Sequence, residues 1–191
     1  MPSLYIIGGA NGSGKTTVSL SLLPNFLEVF EYVNADAIAI GLSPFNPESM
    51  AIQAGRLMLE RLRNLAEVGA DFAFETTLAA RTFVPFLQEC KTKGYIINLI
   101  YFWLQNPDLA VARVARRVAS GGHSIPEDVI RRRYERGRKN LISLYLPLCD
   151  SWIVYDNSEP TDRLVAECSM GFDPIIYEPE IWHQIVGGIN G

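Results

Sequence analysis

Gly9-Ala10-Asn11-Gly12-Ser13-Gly14-Lys15-Thr16, followed by Thr17, matches G-x-x-x-x-G-K-[ST] at every fixed position. Glycines at this spacing let a backbone wrap an anion so that successive N–H groups point inward, aided by the positive end of the following helix. In such a loop Lys15 reaches the β- and γ-phosphates of a nucleotide, and the Thr16 hydroxyl ligates Mg²⁺. A glycine-rich turn carrying a lysine by chance would lack the flanking context. Here a β-rich apolar run over 4–7 precedes the loop, and a helical pattern over 15–23 follows it, stopping before Pro24.

Phosphoryl transfer to a hydroxyl also needs a proton acceptor, a metal, and cations around the phosphate oxygens. Asp36 and Glu75 each follow a predicted strand, and ligands of open parallel sheets bind outside the carboxyl ends of strands. Both acids therefore face the crevice that holds Lys15. Asp36 is the candidate base, with helix capping or turn chemistry in Asn34-Ala35-Asp36 as the alternative. Glu75 is the candidate for orienting the acceptor or the metal's water shell, against a plain strand-end ion pair.

The cations lie in one island. Residues 113–139 hold nine basic and three acidic residues, and the remainder holds eight and eighteen, within a net charge of −4. So compact an island suits a local anionic ligand better than a polyanion, which makes nucleic acid a poor partner. Arg113 and Arg117 are four apart, hence on one helix face. Arg131, Arg132 and Arg133 open the next helix, with Arg136 a turn further on. Between the two helices, Gly121-Gly122-His123 permits the tip to move as a lid over a triphosphate. The arginine fork suits phosphate oxygens, although for any single arginine a solvated basic face is the alternative. His123 reads as a loop-tip residue rather than a catalyst.

The elements that must position these groups alternate. Strands are predicted over 4–7, 29–33, 72–74, 95–104 and 151–155, and helices over 15–23, 48–68, 82–93 and 107–120, with another opening at Pro126. The stretch after Asp162 mixes a short strand or two with a short helix over 180–186. Alternation of this kind gives an α/β fold with a parallel sheet covered on both faces. With 191 residues and no linker or repeat, the chain reads as one domain over 1–191. Its lid spans about 113–139 and an acceptor-side helix about 48–68. Cys90, Cys149 and Cys168 form neither a disulfide framework nor a metal pair and suit a reducing compartment. No run is long enough for a membrane helix and the start lacks a basic n-region, so the expectation is a soluble cytoplasmic protein.

Four segments together resemble the zeta-toxin-like P-loop kinases over residues 4–158. They are 9–17, Asn34-Ala35-Asp36, Phe74-Glu75-Thr76-Thr77-Leu78, and the run from Arg117 through Gly121-Gly122-His123 and Pro126-Glu127 to Arg133-Tyr134. The resemblance implies a P-loop NTPase three-layer sandwich with a five-stranded parallel core sheet in the order 2-3-1-4-5. It further implies ATP and Mg²⁺, Asp36 as base, and Arg117 with one of Arg131 to Arg133 on the phosphates. In the best-known members the acceptor is a sugar hydroxyl of UDP-N-acetylglucosamine, and a small helical antitoxin blocks the ATP site. This chain is shorter than those toxins, with a compact Gly-Gly-His segment.

The acceptor should then lie between the helix over 48–68 and the segment after Glu75, with Thr76, Thr77 and Arg81 as polar contacts. By analogy with related kinases, the adenine end falls near Asp156-Asn157, with Trp103 and Trp152 as core rather than base-stacking residues. Two other readings compete. A nucleotide-dependent switch acting through a protein partner would carry a DxxG segment after the third strand, which this chain lacks. A polynucleotide 5′-kinase would use the basic island as a strand cradle, against which the acidic remainder argues.

Overall fold

Ser3–Gly9 forms strand β1, whose Leu4, Ile6 and Ile7 are fully buried. In the computed structural model, which describes residues 1–122 and 124–187, β1 runs parallel to β3 (Phe72–Thr76) on one side and β4 (Ile96–Trp103) on the other. That central position explains why the strand is apolar on both faces. β2 (Glu31–Val33) adds outside β3, and β5 (Ser151–Asp156) outside β4, both in parallel. β6 (Arg163–Cys168) and β7 (Ile175–Ile176) then pair antiparallel.

The sheet is therefore seven-stranded and mixed, β2-β3-β1-β4-β5-β6-β7, where a five-stranded, purely parallel one was expected. The reason is an edge. Val165 and Ala166 of the tail are fully buried, and the returning strands cover the β5 edge that a five-stranded sheet would leave open.

Helices fill both faces. α1 (Lys15–Phe26) continues through Pro24, whose one lost hydrogen bond falls close to the helix end. α2 (Ala35–Leu42) has no counterpart among the predicted helices. A 3₁₀ turn, Pro47–Met50, leads into α3 (Ala51–Glu67), and α4 (Phe83–Thr92) lies beyond β3. Met58, Leu62 and Leu65 of α3 and Phe83, Phe86 and Leu87 of α4 share one apolar cluster with Phe72 and Phe74 of the sheet. None of the helices among the described residues is long and apolar enough to cross a membrane.

α5 (Pro107–Ala119) and α6 (Glu127–Asn140) form the arginine-bearing hairpin, and α7 (Pro179–Val186) closes the described chain. His123 lies outside the described residues. α6 is fastened to the body: Tyr134 donates to Leu104 O at 2.6 Å and Asn140 Nδ2 to Leu78 O at 2.8 Å. Leu78 sits fully buried at φ 58, a left-handed conformation held by the Asn140 bond to its carbonyl and by its own N–H donating to Thr76 Oγ1 at 3.1 Å.

Gly137 lets α6 approach this loop closely, because a Cβ there would stand 2.2 Å from Thr77 O. Gly137→Ala is expected to destabilise the protein by about 1–3 kcal/mol through overpacking. Urea unfolding measures this, and an unchanged midpoint would show that the loop yields.

Candidate active site

The loop over 9–16 joins β1 to α1 with Gly9, Gly12 and Gly14 at φ 148, 78 and 89. A Cβ at Gly9 would meet Phe102 O and Ser13 Oγ, both at 2.5 Å, so the turn closes only with glycine there. Inside it, Lys15 is 6% exposed and donates from Nζ to Ala10 O at 2.8 Å. Burial pushes the Lys15 pKa below the usual lysine range. Glu75 and Asp36 oppose that shift, and Arg117 and Arg133 add to it.

Glu75, at the end of β3, is the hub. Its Oε2 accepts from Thr16 Oγ1 at 2.8 Å, from Asn34 Nδ2 at 3.0 Å and from the Tyr32 hydroxyl, while Oε1 faces Lys15 Nζ at 3.8 Å. Burial first, and the Glu75 charge second, raise the Tyr32 pKa, so the phenol stays a donor. This set suits Mg²⁺: one hydroxyl beside one carboxylate supplies only hard oxygen ligands, and few of them, leaving positions for phosphate oxygens and water.

Asp36 stands one residue inside α2, and the cap is Asn34, whose Oδ1 accepts from Asp36 N at 2.8 Å and Ala37 N at 3.2 Å. The half-buried Asp36 carboxylate is thus not consumed by capping. It lines a cavity of about 280 Å³ with Asn11, Gly12, Gly14, Lys15, Thr16, Thr17, Glu75, Arg113 and Arg117. It also lines one of about 390 Å³ between α3 and the segment after β3. Thr76, Thr77 and Arg133 border the second cavity, together with Ile52, Met58, Leu59 and Phe83.

Three residues singled out from the sequence lie elsewhere. Arg131 is held by Asp108 at 2.7 Å and Glu127 at 2.8 Å, acids of its own hairpin, and borders neither cavity. Arg81 is exposed and lines neither cavity, because the loop after Leu78 turns it outward. Asn157 spends its amide on the loop itself, Nδ2 donating to Ser13 O at 2.6 Å, and a Cβ at Gly14 would stand 2.6 Å from that nitrogen. Arg113 reaches the smaller cavity while donating to Ser158 O at 2.8 Å.

Sequence reasoning missed Tyr32, Asn34 in its double role, and Arg56 at the larger cavity. The first two had a signal. At i and i+2 they share a strand face, and the register Val33↔Phe74 puts Glu75 next in line beside them.

Known proteins resemble this chain in sequence or in fold. The family described as Zeta toxin matches residues 43–161, a stretch that begins after the phosphate loop and Asp36. A Haemophilus influenzae protein, described as "Uncharacterized protein", is 31% identical over 126 residues, covering 66% of this chain and 88% of its own. The crystal structure of AvrRxo1-ORF1 with AvrRxo1-ORF2 and sulphate ions superposes with a TM-score of 0.79 at 16% identity, over 97% of this chain and 63% of that one. The same pair described with ATP gives 0.76. This chain therefore spans less than two thirds of that relative's length. The PezAT toxin–antitoxin system of Streptococcus pneumoniae gives a TM-score of 0.61 at 18% identity, over 84% of this chain and 71% of that one. At these identities the structural likeness is one of fold. The family match, which covers more than half of the chain, carries the assignment: the chain belongs to the zeta toxin family.

Proposed function

We propose that the chain is a P-loop kinase that moves the γ-phosphate of ATP to a hydroxyl of a small molecule, with the sugar of UDP-N-acetylglucosamine as the first acceptor to test. One observation carries this reading: Asn11, Lys15, Asp36 and Glu75 line both the phosphate-side and the acceptor-side cavity. A switch needs only the first cavity. A kinase needs two that meet at an acid.

In this reading the phosphate tail lies in the loop over 9–16, with Lys15, Arg113 and Arg117 around its oxygens and Arg133 on the acceptor side. Thr16, beside Glu75, would hold Mg²⁺, which would supply positive charge to the phosphate tail. Thr76 and Thr77 hold the acceptor, and Asp36 takes its hydroxyl proton. As the acceptor oxygen bonds to the γ-phosphorus, the bond to the β,γ-bridging oxygen breaks and ADP leaves with that electron pair. AvrRxo1-ORF1 is described together with AvrRxo1-ORF2 and with ATP, and PezAT as a toxin–antitoxin system, so a small helical antitoxin covering the phosphate cavity belongs to the same reading.

The test is incubation with ATP, Mg²⁺ and a metabolite panel including UDP-sugars, read by mass spectrometry. One metabolite should gain a phosphoryl group as ATP is consumed. Slow ATP hydrolysis indifferent to every metabolite would instead favour the switch.

A further inference from the structure

Asn34 touches both acids of the site with opposite ends of one amide. Its Oδ1 accepts from the backbone N–H groups of Asp36 and Ala37, and its Nδ2 donates to Glu75 Oε2 at 3.0 Å and to the Tyr32 hydroxyl at 3.4 Å. The amide cannot turn over, since that would aim its NH₂ at two N–H donors and its oxygen at a carboxylate. Glu75 Oε2 carries three donors in all, which leaves Oε1 as the oxygen that faces Lys15.

We propose that Asn34 is a positioning residue that fixes the first turn of α2, and with it Asp36, relative to the Glu75 carboxylate. The acid on the acceptor side and the acid on the phosphate side are then oriented as one unit. The inference rests on the kinase reading and goes beyond it. Were the Thr16 hydroxyl to turn to a metal, Asn34 and Tyr32 would be the donors left to keep the Glu75 carboxylate aimed.

Side-chain chemistry separates this role from mere capping. Asn34→Ser retains a good cap but has no group that reaches Glu75; Asn34→Ala loses both functions. For Asn34→Ser we expect the thermal midpoint within about 1 °C of wild type and the Kd for a non-hydrolysable ATP analogue within about threefold. Turnover of UDP-N-acetylglucosamine, or of whichever panel metabolite the wild type phosphorylates, should fall about 10–100-fold. Asn34→Ala should show the same loss of turnover together with a midpoint lowered by about 2–4 °C. A crystal structure of Asn34→Ser should show the Glu75 carboxylate rotated away from its wild-type position.

Wild-type turnover in Asn34→Ser, or an unmoved Glu75 in its crystal structure, would overturn the proposal. So would a loss confined to Asn34→Ala that follows its stability. A wild-type protein that binds no ATP analogue would instead overturn the kinase reading, and the position of Glu75 in Asn34→Ser would still decide this one.

Discussion

Replacing Asp36 by Asn is expected to lower phosphotransfer by about 10²–10⁴-fold while leaving affinity for an ATP analogue equal or tighter. Asn has the shape of Asp but does not take up a proton at neutral pH, so the change isolates the base. The fold should not notice it: Asn34 caps α2, and the Asp36 side chain makes no hydrogen bond among the described residues. The direction of the affinity change follows from charge. Asp36 lines the phosphate cavity as an anion, and deleting an anion there relieves repulsion of a triphosphate. Single-turnover phosphotransfer and calorimetric titration measure the two halves. Full turnover in Asp36→Asn would remove the carboxylate from the mechanism and return it to a structural role in α2.

How far the sequence could be read depended on whether a feature was set by local spacing or by pairing at a distance. The phosphate loop is local: three glycines at left-handed or near-extended positive φ, a lysine and a threonine fit one backbone shape, and the loop adopts it. The placement of Asp36 and Glu75 at strand ends needed only the parallel-sheet rule. Their environments did not follow from it. Tyr32 in a three-residue strand looks like ordinary β packing until β3 is set beside it, when its hydroxyl lands on Glu75. The arginine island shows the converse failure. Composition gave its charge, but Arg131 pairs with Asp108 and Glu127 and Arg132 with Asp128, and of the island's arginines Arg113, Arg117 and Arg133 border the two cavities. α2 was missed because its run Ala-Ile-Ala-Ile-Gly-Leu is apolar on every side and carries no helical period, while its cap is an asparagine that also serves the site. The antiparallel β6 and β7 depend on the β5 edge, which no local pattern announces.

Lys15→Met should separate binding from folding. Met keeps much of the length and volume of the lysine stem and removes the ammonium. The variant is expected to lose about 2–5 kcal/mol of affinity for an ATP analogue, roughly 30- to 4,000-fold in Kd. The effect is large because Lys15 is nearly buried, where an ion pair with phosphate is weakly screened. Stability of the ligand-free protein should stay level or rise. Burial already works against the Lys15 charge, as its lowered pKa reflects, so deleting that charge removes a desolvation penalty. Nor does the deletion strand its partners. Ala10 O still accepts from Ser13 N at 3.2 Å, and Glu75 keeps Thr16, Tyr32 and Asn34. The prediction is thus a thermal midpoint at or above that of wild type in a protein that has lost its nucleotide, with calorimetry and thermal unfolding as the two measurements. Undiminished binding would mean that the loop's backbone amides hold the phosphates without Lys15. A lowered midpoint would mean that the Glu75 carboxylate depends on Lys15 more than its three other donors imply.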